Sequence, residues 1–291
     1  MSPARSPSTV ISAVVSDVDG TLVTEDKSLT ERTRAAVAKL HAADIVFAII
    51  SSRPPRGLRM LIDPLKITTP VTGFNGGMMT TPEFSPLAQH LMPPAVARQT
   101  VEIIDAHGAQ AWLFCGEDWL ARTAAGPYAG LEQHAIGYSP IIVEDFDRAL
   151  DAVVKIVAVS EDFELLTSLE QHAHLALADR AAVARSQPYY LDFTHPFANK
   201  GSALSELAKL LGIPEREIAV IGDGDNDIAM FERSGLSIAM GNGDPRVRGA
   251  ADFVTDPNNQ DGFAKAIERY VLGGHRLNAP APRPAAGGRI R

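Results

Sequence analysis

The feature that most limits the fold is a short apolar run, Val10 to Ser16, that ends on an acidic residue, Asp17. A continuous apolar run of this length is the pattern of a strand buried on both faces, with its carboxyl end opening into a loop. Leu29 to Ala42 then places Leu29, Val37, Leu40 and neighbouring alanines at helical spacing, and Ile45 to Ile50 is a second apolar strand ending at Ser51 and Ser52. Strand, helix, strand is the layout in which open parallel sheets carry ligands just outside the carboxyl ends of their strands. Function is therefore expected at those tips.

From Lys200 the same style returns, with a helix at Ser202 to Leu211, a strand at Ile218 to Ile221, a helix at Asp227 to Ser234 and a strand at Ser237 to Met240. The middle reads differently. Strand candidates at Ala111 to Cys115, Val153 to Val159 and Tyr189 to Phe193 alternate with helices near Ala95 to His107 and Asp162 to His174. The expected class is α/β: a discontinuous core over 10–81 and 196–272, with a parallel sheet and helices on both faces, and an α+β domain inserted over 82–195. Residues 1–9 and 273–291, rich in turn-formers with little to bury, are expected to be disordered tails. Turn residues at Thr80 to Pro82 and His195 to Ala198 are the expected hinges.

The bulk numbers exclude several classes. A chain of 291 residues is longer than one core usually organises, and no stretch of eighteen apolar residues is present that could span a bilayer. Met1 to Thr9 lacks the apolar segment of a secretory signal. A single cysteine, Cys115, cannot form an intramolecular disulfide, and its apolar flank Trp112 to Phe114 suggests a strand rather than a reactive thiol, so the reducing cytoplasm is the expected compartment. A formal charge of −8 argues against a nucleic-acid backbone as partner. A small anion can still bind locally; no membrane is expected, and a homo-oligomer stays open.

Asp17-Val18-Asp19-Gly20-Thr21-Leu22 places two carboxylates two residues apart directly after a buried strand. Magnesium prefers an octahedron of oxygen ligands and keeps several waters, so two or three carboxylates and a phosphate oxygen complete a site; Asp17, Asp19 and Asp223 can supply it. With repulsion neutralised, Asp17 can attack phosphorus, and Asp19 can serve as acid and then base. Ser51 can offer a hydroxyl to a phosphate oxygen, while Ser52 and Arg53 follow where backbone N–H groups open a loop. Lys200 begins a helix, where its charge and the helix N-terminus together suit a phosphoryl oxygen. Gly222-Asp223-Gly224-Asp225-Asn226-Asp227 puts three carboxylates and an amide on one strand tip. Asn226 and Asp227 also suit a helix start, which is compatible with holding a ligand or its neighbours.

Together these four segments resemble the haloacid dehalogenase superfamily of phosphohydrolases, in the order and spacing of its Cof-type branch with a large inserted cap. The resemblance implies a Rossmann-like core, a phospho-aspartyl intermediate on Asp17, acid and base work by Asp19, and magnesium held by Asp17, Asp19 through its backbone carbonyl, and Asp223, with Asp227 in the same acidic motif. It extends to Gly73-Phe74-Asn75-Gly76-Gly77, similar to the branch's substrate loop, so that Asn75 and Gly76, with Asn226, are implied to meet substrate. Ser51-Ser52-Arg53 departs from the usual Thr-Gly-Arg, keeping the hydroxyl but placing Ser52 where glycine is common. The cap carries no matched motif; Trp112, Trp119, Arg122, Tyr128, His134 and His195 are its candidates. The reading the resemblance implies is hydrolysis of a phosphomonoester of a small phosphorylated metabolite, a sugar phosphate foremost; a phosphomutase of the same superfamily and a non-catalytic regulatory relative are the competing readings.

Overall fold

The computed structural model describes residues 10–273, so the expected tails lie outside the described residues, except for Gly273. In chain order the elements are β1 (Ala13–Ser16), α1 (Glu31–Ala42), β2 (Val46–Ile50), α2 (Arg59–Leu65), β3 (Val71–Gly73), β4 (Met78–Thr80) and β5 (Pro86–Gln89). Then follow α3 (Pro94–His107), β6 (Gln110–Cys115), β7 (Asp118–Ala121), α4 (Ala129–Ile136), β8 (Ile141–Ile142), β9 (Val153–Val159), α5 (Phe163–Leu177), β10 (Ala182–Gln187) and β11 (Tyr190–Thr194). The chain closes through α6 (Lys200–Leu211), β12 (Ile218–Gly222), α7 (Ile228–Phe231), β13 (Leu236–Ala239), α8 (Pro245–Ala250), β14 (Phe253–Val254) and α9 (Gly262–Ala266).

Two sheets form. The larger has the order β14-β13-β12-β1-β2-β3-β4-β5, parallel from β14 to β3 and antiparallel at β4 and β5. Alternate residues of its strands enter different apolar layers: Val14, Ile49 and Ile221 pack with α1, α2 and α9, whereas Val15, Ile50 and Val220 pack with α6, α7 and α8. Burial on both faces is why these strands read as unbroken apolar runs. Helix α1 buries Thr33, Ala36, Val37 and Leu40, one stripe at helical spacing, and starts where the Thr30 side chain accepts the Thr33 N–H. The α/β class and the helices on both faces are as expected.

The smaller sheet has the order β10-β11-β9-β6-β7-β8. One face is covered by α3 and α5 through Leu113, Ile156, Leu166 and Leu191; the other, with Trp112, Phe114, Val157 and Tyr190, packs with α4 and with Phe74 and Met78 of the larger sheet's side. The two sheets therefore share an apolar contact beside the Asn75 loop.

Two expectations change. The larger sheet does not end near Thr80 to Pro82, because β5 pairs antiparallel with β4 and carries the sheet to Gln89, so the chain crosses over at 90–93. An edge strand that begins on proline and exposes most of its residues has no alternation to read. The helix expected at Asp227 to Ser234 shortens to Ile228–Phe231 behind a tight turn at 225–227, since Asp227 spends its side chain on the backbone ahead of it. At the two crossovers, His90 and His195 stack with ring centroids 5.6 Å apart.

Candidate active site

Strands β1 and β12 are parallel neighbours, and the Asp17 N–H continues their ladder to the Ile221 carbonyl at 2.9 Å. Their tips therefore lie side by side, which brings Asp17 against the 222–227 loop. Carboxylate oxygens of Asp17, Asp223 and Asp227 lie within 4.8 Å of one another. Helix α6 adds Lys200 at its first turn, with the Asn199 side chain accepting the Ser202 N–H as cap. The Lys200 ammonium is 2.6 Å from Asp17 Oδ1 and 2.6 Å from Asp227 Oδ1, and all three side chains are buried. Burial works against the Lys200 charge, but the two carboxylates overcome it and hold the ammonium well above its ordinary range.

Three carboxylates face one ammonium in a buried space. Burial pushes Asp17 up, the negative charges of Asp227 and Asp223 add to it, and Lys200 opposes. Asp223 is raised for the same reasons, against a hydrogen bond from Thr21. The all-oxygen donor set and its excess negative charge fit a hard divalent cation. The three aspartates differ in freedom. Asp227 is fully engaged, Oδ1 by Lys200 and Oδ2 by the Asp223 and Gly224 N–H groups at 2.9 Å, which suits it to fix Lys200 and the turn. Asp223 is steered by Thr21 Oγ1 and Asn242 Nδ2, each at 3.1 Å.

Asp19 does not join this cluster through its side chain. Arg53 grips it with Nε at 2.6 Å and Nη2 at 2.7 Å, and Lys27 adds Nζ at 2.7 Å. Burial alone would raise its carboxyl, but the hydrogen bonds and charges of Arg53 and Lys27 prevail and lower it to about 2. In this arrangement Asp19 is an ionised acceptor. Its expected part in metal binding is left to its backbone carbonyl.

Ser51 is buried at the β2 tip; its hydroxyl accepts the Arg53 N–H at 3.1 Å and its carbonyl accepts the Asn75 N–H at 2.8 Å. Ser52 lies half-buried between Ser51 and Arg53. Asn226 Nδ2 reaches Asn75 Oδ1 at 3.0 Å, tying the substrate-loop candidate to the acidic loop. Gly76 has φ +103°, and a Cβ there would lie 2.8 Å from the Ala203 Cβ, so α6 and the loop meet only over glycine. All expected core positions thus gather at one end of the larger sheet. Sequence reasoning did not single out Lys27 as a site residue; it has φ +64° in a turn whose path only the fold defines.

Of the cap candidates, Trp112 and Trp119 are buried apolar packing, Arg122 pairs with Asp105 on the surface, and His134 is exposed. Cys115 ends β6, and burial first, then Asp118 and Asp151, push its thiol up to about 12, as suits a strand residue rather than a nucleophile.

Gly20 gives a sharp local test. With φ +75° and a Cβ that would fall 2.1 Å from Asp223 Oδ2, alanine there must displace the carboxylate. Gly20→Ala is expected to weaken divalent-cation binding, read by calorimetric titration, by about tenfold or more; unchanged affinity would show that Asp223 is not a ligand.

A family model described as haloacid dehalogenase-like hydrolase matches residues 14–267. The chain belongs to the haloacid dehalogenase-like hydrolases. A Streptococcus pyogenes serotype M6 protein, provisionally named a phosphatase, is 28% identical over 267 residues, covering 90% of this chain and 99% of its own. The Bacillus subtilis 5-amino-6-(5-phospho-D-ribitylamino)uracil phosphatase YitU is 27% identical, covering 87% of this chain and 95% of its own. Among solved structures, a haloacid dehalogenase-like hydrolase from Bacteroides thetaiotaomicron superposes with a TM-score of 0.82 at 28% identity, over 89% of this chain and 99% of that one. The resemblance read from the four motifs is borne out. Among the described residues no helix is long and apolar enough to cross a membrane.

Proposed function

We propose that the protein is a magnesium-dependent phosphoric monoester hydrolase that moves the phosphoryl group of a small sugar or polyol phosphate to Asp17 and then to water. The observation that carries the reading is the buried Lys200 ammonium shared by Asp17 and Asp227, beside Asp223 on the adjoining strand tip. A carboxylate meets an anionic phosphate only where positive charge and fixed donors hold both in line. The names of relatives support the class, and a phosphorylated ribityl chain, the group in the name of the Bacillus subtilis relative, is the kind of substrate carried over here.

Asp17 Oδ attacks phosphorus while the bond to the leaving oxygen breaks, and that oxygen takes a proton. Water then attacks the phosphorus of the aspartyl phosphate, the bond to Asp17 breaks, and phosphate leaves with Asp17 restored. Asp19 accepts the proton of that water; to donate one in the first step it must first be released by Arg53 and take up a proton from solvent, and the freed Arg53 N–H groups can turn to the phosphoryl oxygens. Ser51 and Lys200 orient the same oxygens. Asp17, Asp223 and the Asp19 carbonyl would hold magnesium, which when bound neutralises phosphate and carboxylate charge.

The test is phosphate release from sugar phosphates, nucleotides and aryl phosphates, with magnesium and with chelator. Release that stops in chelator and returns with excess magnesium is expected. Release indifferent to chelator would remove the metal from the reading, and none from any compound would remove hydrolysis.

A further inference from the structure

One charged group lies inside each of two otherwise uncharged strands of the smaller sheet: Lys155 in VVKIVAV and Asp192 in YLDFT. Their side chains meet at 2.6 Å and are 12% and 9% exposed. That contact uses Asp192 Oδ2; Oδ1 is buried and has no hydrogen-bond partner. A buried carboxylate oxygen with no donor is costly, so it calls for a donor from outside the chain. Glu132 of α4 completes the group, lying within electrostatic reach of Lys155, Asp192 and Arg53, while the Tyr190 hydroxyl beside it donates to the Tyr128 carbonyl at 3.4 Å.

This nest adjoins the site described above. Lys155 pairs in register with Thr194, the last residue of β11 before the chain crosses to Lys200. Its neighbour Val154 packs on Gly77, at the end of the Asn75 loop. On α4, one turn beyond Glu132, the Ala135 carbonyl accepts from Arg53 Nη1 at 3.0 Å, and the same guanidinium holds Asp19. A phosphate ester seated at Asp17 and Arg53 thus extends its leaving group toward Glu132, Lys155 and Asp192.

The charges also select. Lys155 is held by Asp192, Arg53 by Asp19 and the Ala135 carbonyl, and Lys27 by Asp19. A second anion on the substrate would find two carboxylates and cations already engaged, whereas a hydroxyl can donate to Asp192 Oδ1 and accept from Lys155.

We propose that Asp192, Lys155 and Glu132 bind the leaving group, and that this group is an uncharged chain rich in hydroxyl or amine donors rather than one bearing a second anion. The proposal rests on the phosphatase reading, so its test has a separate arm.

The primary readout is the ratio of kcat/KM for glucitol 6-phosphate to that for p-nitrophenyl phosphate. Asp192→Asn is expected to lower this ratio at least about tenfold, because a neutral amide cannot replace a charged acceptor. Parent protein is expected to prefer glucitol 6-phosphate over fructose 1,6-bisphosphate, and the variant to narrow that preference. A ratio unchanged while both activities fall together would overturn the proposal, since a merely structural salt bridge affects both substrates alike. If Asp192→Asn fails to fold, Glu132→Gln, on a half-buried helix position, reads the same ratio. Should the parent release phosphate from no compound, the phosphatase reading fails by itself, and calorimetric binding of glucitol 6-phosphate still decides the nest. Binding weakened at least about tenfold by either substitution supports it, and equal binding overturns it.

Discussion

Asp17→Asn is expected to abolish turnover, lowering phosphate release by roughly three orders of magnitude or more, the scale on which loss of a covalent nucleophile is felt. Stability should move the other way. Asp17 is buried among two further carboxylates with one ammonium, and its carboxyl is raised, so the fold disfavours its charge. Asparagine keeps the shape and removes that charge, while Asp227 still holds Lys200 at 2.6 Å. Thermal unfolding in chelator should therefore occur at the same or a higher temperature than in the parent, and excess magnesium should stabilise the variant less. Loss of activity with a lower midpoint in chelator would mean that the substitution broke the fold rather than the chemistry. Retained turnover would exclude Asp17 as nucleophile.

Lys200→Met carries the largest expected stability effect. The side chain is 1% exposed and its ammonium is shared by Asp17 and Asp227. Removing one partner of a buried pair leaves uncompensated charge, which typically destabilises by about 3–5 kcal/mol; here two carboxylates lose their counter-charge together. Methionine preserves most of the volume, so packing loss is small and the charge effect is what urea unfolding reads. Magnesium should recover part of the loss, because a cation beside Asp17 and Asp223 replaces some of the missing positive charge. A variant as stable as the parent in chelator would show that the two aspartates are not charged together in the metal-free protein. Activity should fall as well, since α6 then presents no ammonium at the phosphate.

Much of the site was legible because parallel strands buried on both faces must be apolar throughout, and their ends announce themselves as the first polar residues. Ser16-Asp17, Ile50-Ser51 and Gly222-Asp223 are such ends, and the strand limits observed at β1, β2 and β12 lie within a few residues of those read from the sequence. The helix of Lys200 was legible through its apolar stripe over Ser202 to Leu211, and the Asn199 cap is what the structure adds. By contrast, β5 has three exposed residues of four and an initial proline, so nothing local marks it as a strand until β4 supplies a partner.

Side-chain partnerships were less accessible. The linear motif separates the roles of Asp17 and Asp19 but not their partners, and only the fold sends the first to Lys200 and the second to Arg53. The six cap candidates were chosen as conspicuous residue types, yet Trp112 and Trp119 pack on each other with centroids 4.9 Å apart in the apolar layer. The proposed leaving-group site rests instead on a single charge inside an apolar strand, Lys155 in β9 and Asp192 in β11. Neither points to the other until the sheet sets β9 beside β11.

The sequence by itself determined the α/β class, the strand tips and the set of acidic, hydroxyl and basic residues that stand on them, because periodicity and burial are local consequences of residue order. Tertiary structure alone decided which carboxylates share Lys200, which one Arg53 holds, and that Lys155 meets Asp192. Those outcomes depend on distances between segments far apart in the chain, where a shift of a few ångströms exchanges one charged partner for another.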